Sequence, residues 1–160
     1  MSKTNLLDAI RVAKENERIA SETYANAAKN KNFSTGKELF MQLSEFEKYH
    51  YDRIAALEKS LVKKGEFINY KGKGFSLPPK FEIKAAEEPN QKSIIQIIFE
   101  AIELERQMQN AYADLAAQIS DPRGHKMFRR LSEEEHKHFI ILLEAHWSLN
   151  NFGVWKGPRS

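Results

Sequence analysis

Apolar residues recur at the three-and-four spacing of a buried helix face in four long stretches of this chain. Segment A runs from about Thr4 to Asn30 and carries Ile10, Ala13, Ala20, Tyr24 and Ala27 on one face. Segment B starts near Ser34, a good N-cap, and reaches about Val62 with Phe40, Leu43, Ile54 and Leu57 in line. Segment C follows Pro89-Asn90 and continues to about Ile119. Segment D opens with Asp121-Pro122, a cap followed by proline at the first helical position, and runs to about Ser148. The spacing therefore predicts helices over about 4–30, 34–62, 90–119 and 121–148, with an irregular tail over 149–160.

A–B and C–D are joined by a few residues each, so each pair should be an antiparallel hairpin. Between B and C lie about 27 residues that include Gly65, Gly72, Gly74, Pro78, Pro79 and Pro89. That composition predicts a crossover running along the bundle, with room for one turn of helix or a short extended piece. The expected architecture is all-α: a four-helix bundle built from two antiparallel hairpins joined by a long B–C crossover, in one domain over 1–160. In the tail, Phe152 and Trp155 are candidates to pack on the bundle or on a partner.

The chain repeats itself. Ala13-x-Glu15-x-Glu17-Arg18, followed by Tyr24-Ala25 and Ala28, returns as Ala101-x-Glu103-x-Glu105-Arg106, followed by Tyr112-Ala113 and Ala116. Separately, Phe40-x-x-Leu43-Ser44-Glu45-x-Glu47-x-x-His50 returns as Phe128-x-x-Leu131-Ser132-Glu133-x-Glu135-x-x-His138. Both offsets are 88 positions (17 to 105, 47 to 135). Two motifs sharing one offset without a gap mark a duplicated helical hairpin. The register also chooses between two Glu-x-x-His readings in segment D: Glu135/His138 matches Glu47/His50 and lies on the apolar stripe, whereas Glu133 and His136 belong to an outer or flanking face.

Glu17, Glu47, Glu105 and Glu135 all fall between core residues of their stripes. Glu17 and Glu47 are 30 positions apart about residue 32, in the A–B turn; Glu105 and Glu135 are 30 apart about residue 120, in the C–D turn. Residues equidistant from the turn of an antiparallel hairpin lie at one height, so the four carboxylates should meet in one layer, with His50 and His138 about one turn away. Four uncompensated buried carboxylates would cost several kcal/mol each or more, and no lysine or arginine occupies the neighbouring stripe positions. Two divalent cations supply the missing charge. Glu17, Glu47, His50, Glu105, Glu135 and His138 are thus the predicted metal ligands, with Glu47 and Glu135 bridging and Glu17 and Glu105 at the ends. Which histidine serves which metal stays open.

Tyr24 and Tyr112 lie two turns beyond Glu17 and Glu105. They can hydrogen-bond the ligand carboxylates, take part in redox steps or be plain core tyrosines. His125, His136 and His146 stand outside the repeated pattern and are not expected to be ligands, and Arg18 and Arg106 are expected on the helix surface.

Composition narrows the chemistry. With no cysteine, disulfides, thiolate zinc sites, iron–sulfur clusters and a fused rubredoxin-type carrier are excluded from this chain. Glutamate and imidazole ligands suit iron, with manganese, a mixed iron/manganese pair or zinc as alternatives. The net charge of +3 is diffuse, and Glu58, Glu66 and Glu82 interrupt the lysines between Lys59 and Lys84, so no nucleic-acid surface is expected. The longest apolar runs, such as Ile94 to Phe99, are too short to span a membrane, and the N-terminus lacks a secretory core, so a cytoplasmic location is expected.

These motifs resemble the ferritin-like superfamily, in particular the rubrerythrin branch with Glu-x6-Tyr on the first and third helices, over about Asn5 to Trp147. The resemblance implies a non-haem di-iron oxidoreductase that reduces O2 or H2O2 while Fe2+ (ferroxidase) or a separate electron donor (peroxidase) is oxidised, and it implies a homodimer. Two departures separate this chain from rubrerythrins. Their additional helix-C glutamate, one turn after the first, corresponds here to Met108, whose repeat mate is Ala20. The six-ligand set is therefore closer to ferritin or bacterioferritin ferroxidase centres. The rubredoxin cysteines are also missing, so electrons would come from a separate donor protein or from Fe2+ itself. Iron binding or storage without independent turnover is the alternative reading, and a di-metal substrate oxygenase the third.

Overall fold

A computed structural model describes residues 1–29, 36–78, 81–87 and 91–158, with side chains throughout except at 91–93. Four helices account for most of it: α1 (Lys3–Lys29), α2 (Lys37–Lys64), α3 (Gln91–Gln118) and α4 (Pro122–Phe152). Each buries the stripe that its spacing marks out. Ile10, Ala13, Ala20 and Tyr24 from α1 meet Phe40, Leu43, Ile54 and Leu57 from α2, and Met127, Phe128, Leu131, Leu142 and Ala145 of α4 join the same core. α1 packs along α2 and α3 along α4, giving an all-α four-helix bundle of two antiparallel pairs. At about 1.5 Å per residue, helices of 27 to 31 residues are roughly 40 Å long.

The repeat governs detail as well as outline. Ser44 Oγ donates to Ser21 O at 2.9 Å, and 88 positions on, Ser132 Oγ donates to Gln109 O at 3.0 Å. Each bond ties the second helix of a hairpin to the first at the same level. Gly36 and Gly124 are also mates. A Cβ at Gly124 would stand 2.5 Å from Phe67 Cε1 and 2.7 Å from Ile119 Cγ2, so the second hairpin needs glycine there, whereas at Gly36 a Cβ would meet only the tip of the Ile94 side chain, at 2.6 Å. The mates Gly65 and Gly153 end α2 and α4 in left-handed conformations (φ 68° and 70°), donating to Leu61 O and Leu149 O. At the start of α4, the Asp121 side chain accepts from the Arg123 and Gly124 amides, with Pro122 at the first helical position. The expected cap at Ser34, Asn30 at the end of segment A, and Pro89-Asn90 lie outside the described residues.

The tail departs from expectation. The chain does not become irregular at residue 149: α4 continues to Phe152, supported by Asn150 and Asn151 side chains donating to His146 O and Trp147 O. After Gly153, strand β2 (Val154–Trp155) pairs antiparallel with β1 (Ile83–Lys84) at the end of the crossover, Trp155 opposite Ile83. Trp155 is buried edge-on against Phe81, with ring centroids 5.6 Å apart, whereas Phe152 stays 67% exposed. A 3-10 turn (Ala85–Glu87) follows β1. The earlier part of the crossover lies along the bundle, its Phe67, Tyr70 and Phe75 packed on the core.

Candidate metal centre

α1 contributes Glu17, α2 Glu47 and His50, α3 Glu105, and α4 Glu135 and His138; all six are fully buried. Equal distance from the two turns puts them in one layer. They form two overlapping groups, Glu17, Glu47, His50 and Glu135 on one side and Glu47, Glu105, Glu135 and His138 on the other, with one donor atom from each member of a group within 4.8 Å of the rest. Glu47 and Glu135 belong to both. His50 Nδ1 lies 2.8 Å from Glu135 Oε1 and 3.2 Å from Glu17 Oε1, and His138 Nδ1 lies 3.1 Å from Glu47 Oε1 and 3.4 Å from Glu105 Oε2. The same imidazole nitrogen faces inward on both sides.

The tyrosines cross between hairpins. Tyr24 Oη donates to Glu105 Oε1 at 2.8 Å, and Tyr112 Oη donates to Glu17 Oε1 at 2.5 Å. Each hairpin therefore orients a carboxylate of the other. Burial raises both phenols well above their usual range, and the carboxylates beside them add to the shift, so both remain protonated donors.

The electrostatics of this layer are unbalanced. Burial, then the neighbouring Glu47, pushes the Glu17 carboxyl well up, and burial with Glu105 and Glu47 does the same to Glu135. Burial opposes ionisation of Glu47 too, but hydrogen bonds from Glu17, His138 and His50 outweigh it and hold that carboxyl low. Burial would lower both histidines; the surrounding carboxylates instead raise His50 well above its ordinary range and His138 to about 9. Protons thus stand in for cations among these groups. Even so, among the described residues Glu17 Oε2, Glu47 Oε2, Glu105 Oε2 and Glu135 Oε2 have no hydrogen-bond partner. One free oxygen on each of four buried carboxylates, with two imidazole nitrogens turned toward them, fits a pair of divalent cations: four negative charges against four positive.

The residues outside this layer were only partly anticipated. Glu133 and His136 are exposed. His125 Nδ1 lies 2.7 Å from Ala116 O, and Arg18 and Arg106 pair on the surface with Glu15, Glu22 and Glu103. Met108 is buried and Ala20 fully so. Sequence reasoning passed over Glu134, which is 1% exposed. His50 Nε2 donates to its Oε2 at 3.2 Å, Tyr70 Oη donates to the same oxygen at 2.6 Å, and the Lys73 amide donates to Oε1. Burial opposes its ionisation, but these donors, His50 first, keep its carboxyl low. It was legible as the position three after Leu131 and four before His138, on the flank of the stripe. Its donors Tyr70 and Lys73 sit in the crossover, where no periodicity points to them.

Residues 1–58, all of α1 and most of α2, match the Rubrerythrin family model. No curated protein and no solved structure matches the chain. The matched span contains Glu17, Glu47 and His50, whose mates in the second hairpin complete the buried Glu/His layer. Over residues 1–58 the chain is thus similar to the Rubrerythrin family of ferritin-like di-iron carboxylate proteins.

Proposed function

We propose that this protein is a non-haem di-iron oxidoreductase that reduces O2 or H2O2 at the expense of Fe2+ or of a separate electron-donor protein. Its metal ligands in this reading are Glu17, Glu47, His50, Glu105, Glu135 and His138, with Glu47 and Glu135 shared between two irons. The observation that carries it is the set of four buried carboxylates, each with one unpartnered oxygen, facing two inward imidazole nitrogens. Two bound irons would supply two electrons at one place, enough to take peroxide to water. The protein's part is to hold the ligands in place and keep water out. Tyr24 and Tyr112 fix one oxygen of Glu105 and one of Glu17, leaving the other oxygen of each turned to the layer. Phe46 and Phe75 close the outer side of His138.

Met108 favours Fe2+ oxidation over the peroxidase reaction of rubrerythrins, because it puts a buried thioether where their extra carboxylate would stand. A homodimer belongs to the same reading. Ile140, Leu143 and Trp147 are 40–58% exposed along α4, with Phe99 of α3 beside His146, and a second copy would cover them.

The test is anaerobic Fe2+ titration of the metal-free protein, then rapid mixing with O2 and, separately, with H2O2, following near-ultraviolet iron(III) absorbance. Saturation at two irons per chain with O2 the faster oxidant and further Fe2+ turned over would establish a ferroxidase. Faster peroxide consumption would establish a peroxidase despite Met108. Two irons bound without turnover would leave iron binding or storage, and failure to bind two would overturn the di-iron reading.

A further inference from the structure

The pairs described so far obey the repeat: Glu17 with Glu105, Tyr24 with Tyr112, Glu47 with Glu135, His50 with His138. At the outer edge of the histidines it fails. Position 46 is phenylalanine and its mate, position 134, is glutamate. Because the hairpins pack antiparallel, each of these residues reaches the other hairpin's histidine. Glu134 accepts from His50 Nε2, while Phe46, which also meets the ring of His50 on its own helix at 4.9 Å, stands edge-on to His138 at 4.3 Å between ring centroids. The single crossover deepens the difference. It sets Tyr70 and the Lys73 amide on Glu134 at one side and lays Phe75 5.1 Å from the His138 ring at the other. One imidazole therefore rests on a buried carboxylate that accepts two further hydrogen bonds. The other has a buried Nε2 with no hydrogen-bond partner.

For an imidazole that offers Nδ1 to a metal, Nε2 must carry the proton. A carboxylate on that proton fixes the tautomer, holds the ring plane and increases the electron density at Nδ1, whereas two aromatic rings fix the ring by contact alone. Glu134 is not an ordinary surface ion pair that happens to lie nearby. Its closest cationic side chain other than His50 is Arg130, at 3.7 Å and 40% exposed, while its shorter bonds come from His50, Tyr70 and the Lys73 amide.

We propose that the two metal positions are unequal, and that Glu134, acting through His50 as a positioning residue, makes the position beside Glu17 and His50 the one that fills first. The position beside Glu105 and His138 is the weaker one, from which an ion is more readily lost. This inference rests on the two-metal reading of the site.

The experiment is a stepwise Co2+ titration of the full-length metal-free protein by calorimetry and visible absorbance, in wild type, Glu134→Gln and Glu134→Ala. Wild type should take up two ions per chain in steps separated by at least about tenfold. Glu134→Ala should weaken the first step by about 10–100-fold with little change in the second, so that the steps merge. Glu134→Gln keeps an acceptor for His50 Nε2 and should recover part of the loss, which a general loss of packing would not allow. Independently of any variant, anomalous diffraction from wild-type crystals with one equivalent of Co2+ should place the ion between Glu17 and His50. Uptake in two equal steps, an ion found first beside His138, or a Glu134→Ala variant that weakens both steps alike would overturn the inference alone. Fewer than two ions per chain in wild type would overturn the two-metal reading and this inference with it.

Discussion

The hairpin α1–α2 and the hairpin α3–α4 keep one register, position for position, from the start of their first helix to the glycine that caps their second, with Phe46 against Glu134 the mismatch that reaches the site. The buried glutamates and histidines, the tyrosines, the interhelical serines and the capping glycines all have mates 88 positions away. Beyond the capping glycines they part. Gly65 leads into a crossover that lies over the site, and Gly153 leads into two residues that pair with that crossover. A two-fold arrangement of ligands enclosed by one strand of chain cannot stay two-fold at its outer wall. The buried Glu/His layer is constrained by charge balance, which treats both halves alike. The wall behind it is constrained by whichever piece of chain passes there.

The largest expected effect falls on both halves at once. Glu47→Ala with Glu135→Ala removes the two shared carboxylates and should abolish two-metal binding, as read by metal analysis after dialysis. Retention of two ions per chain would show that the layer is not a shared site.

Next comes the pair that separates the halves. His50→Ala should lower the affinity of the first ion by at least the 10–100-fold typical of disturbing a metal's surroundings, while His138→Ala should act on the second. Identical calorimetric traces for the two variants would mean that the halves are equivalent. A pH profile sharpens the same contrast in metal-free protein. The unfolded chain releases the proton of His138 near 6.5, but the folded chain holds it to about 9. Its contribution to stability is therefore complete below pH 6.5 and lost as pH rises through 9. Denaturant midpoints should fall over that window in wild type and fall less in His138→Ala; a flat wild-type profile would contradict the charge assignment.

Smaller and symmetric effects follow. Tyr24→Phe and Tyr112→Phe each remove one donor from an end carboxylate and should cost about tenfold in metal affinity, the first beside Glu105 and the second beside Glu17. Assigning each loss to its own step checks that the tyrosines cross between hairpins. Ser44→Ala and Ser132→Ala should each cost about 1 kcal/mol, a melting-temperature drop of about 2–4 °C, and should match each other if the hairpins are held alike.

The four helices and the layer of Glu and His were legible in the sequence because periodicity and duplication are both properties of position along a chain. Even the end of α4 was available: Gly65 stops α2, so its mate Gly153, rather than Ser148, marks where α4 stops. Glu134 was obscured by the repeat that revealed its neighbours, since comparison of the halves draws the eye to what agrees. Phe46, its mate, does not agree, and that mismatch was the available signal. Tyr70, Lys73 and Phe75 were not legible. They sit in a stretch with no period, and their positions follow from how a long connection crosses two helices it does not belong to.

The two-residue pairing of Ile83–Lys84 with Val154–Trp155 has a consequence for the order of events during synthesis. The first hairpin joins residues close in sequence and can fold while the ribosome is still translating the rest. The far end of the crossover has to wait, because the strand that fastens it is made some 70 residues later, after the whole of α4. Until Trp155 emerges, Phe81 and Ile83 lack their strand partner, and the crossover is held by the α2 end and by the bonds of Tyr70 and Lys73 to Glu134. The far end of the crossover is thus the last part of the molecule to close, after every one of the six side chains in the buried layer has been made.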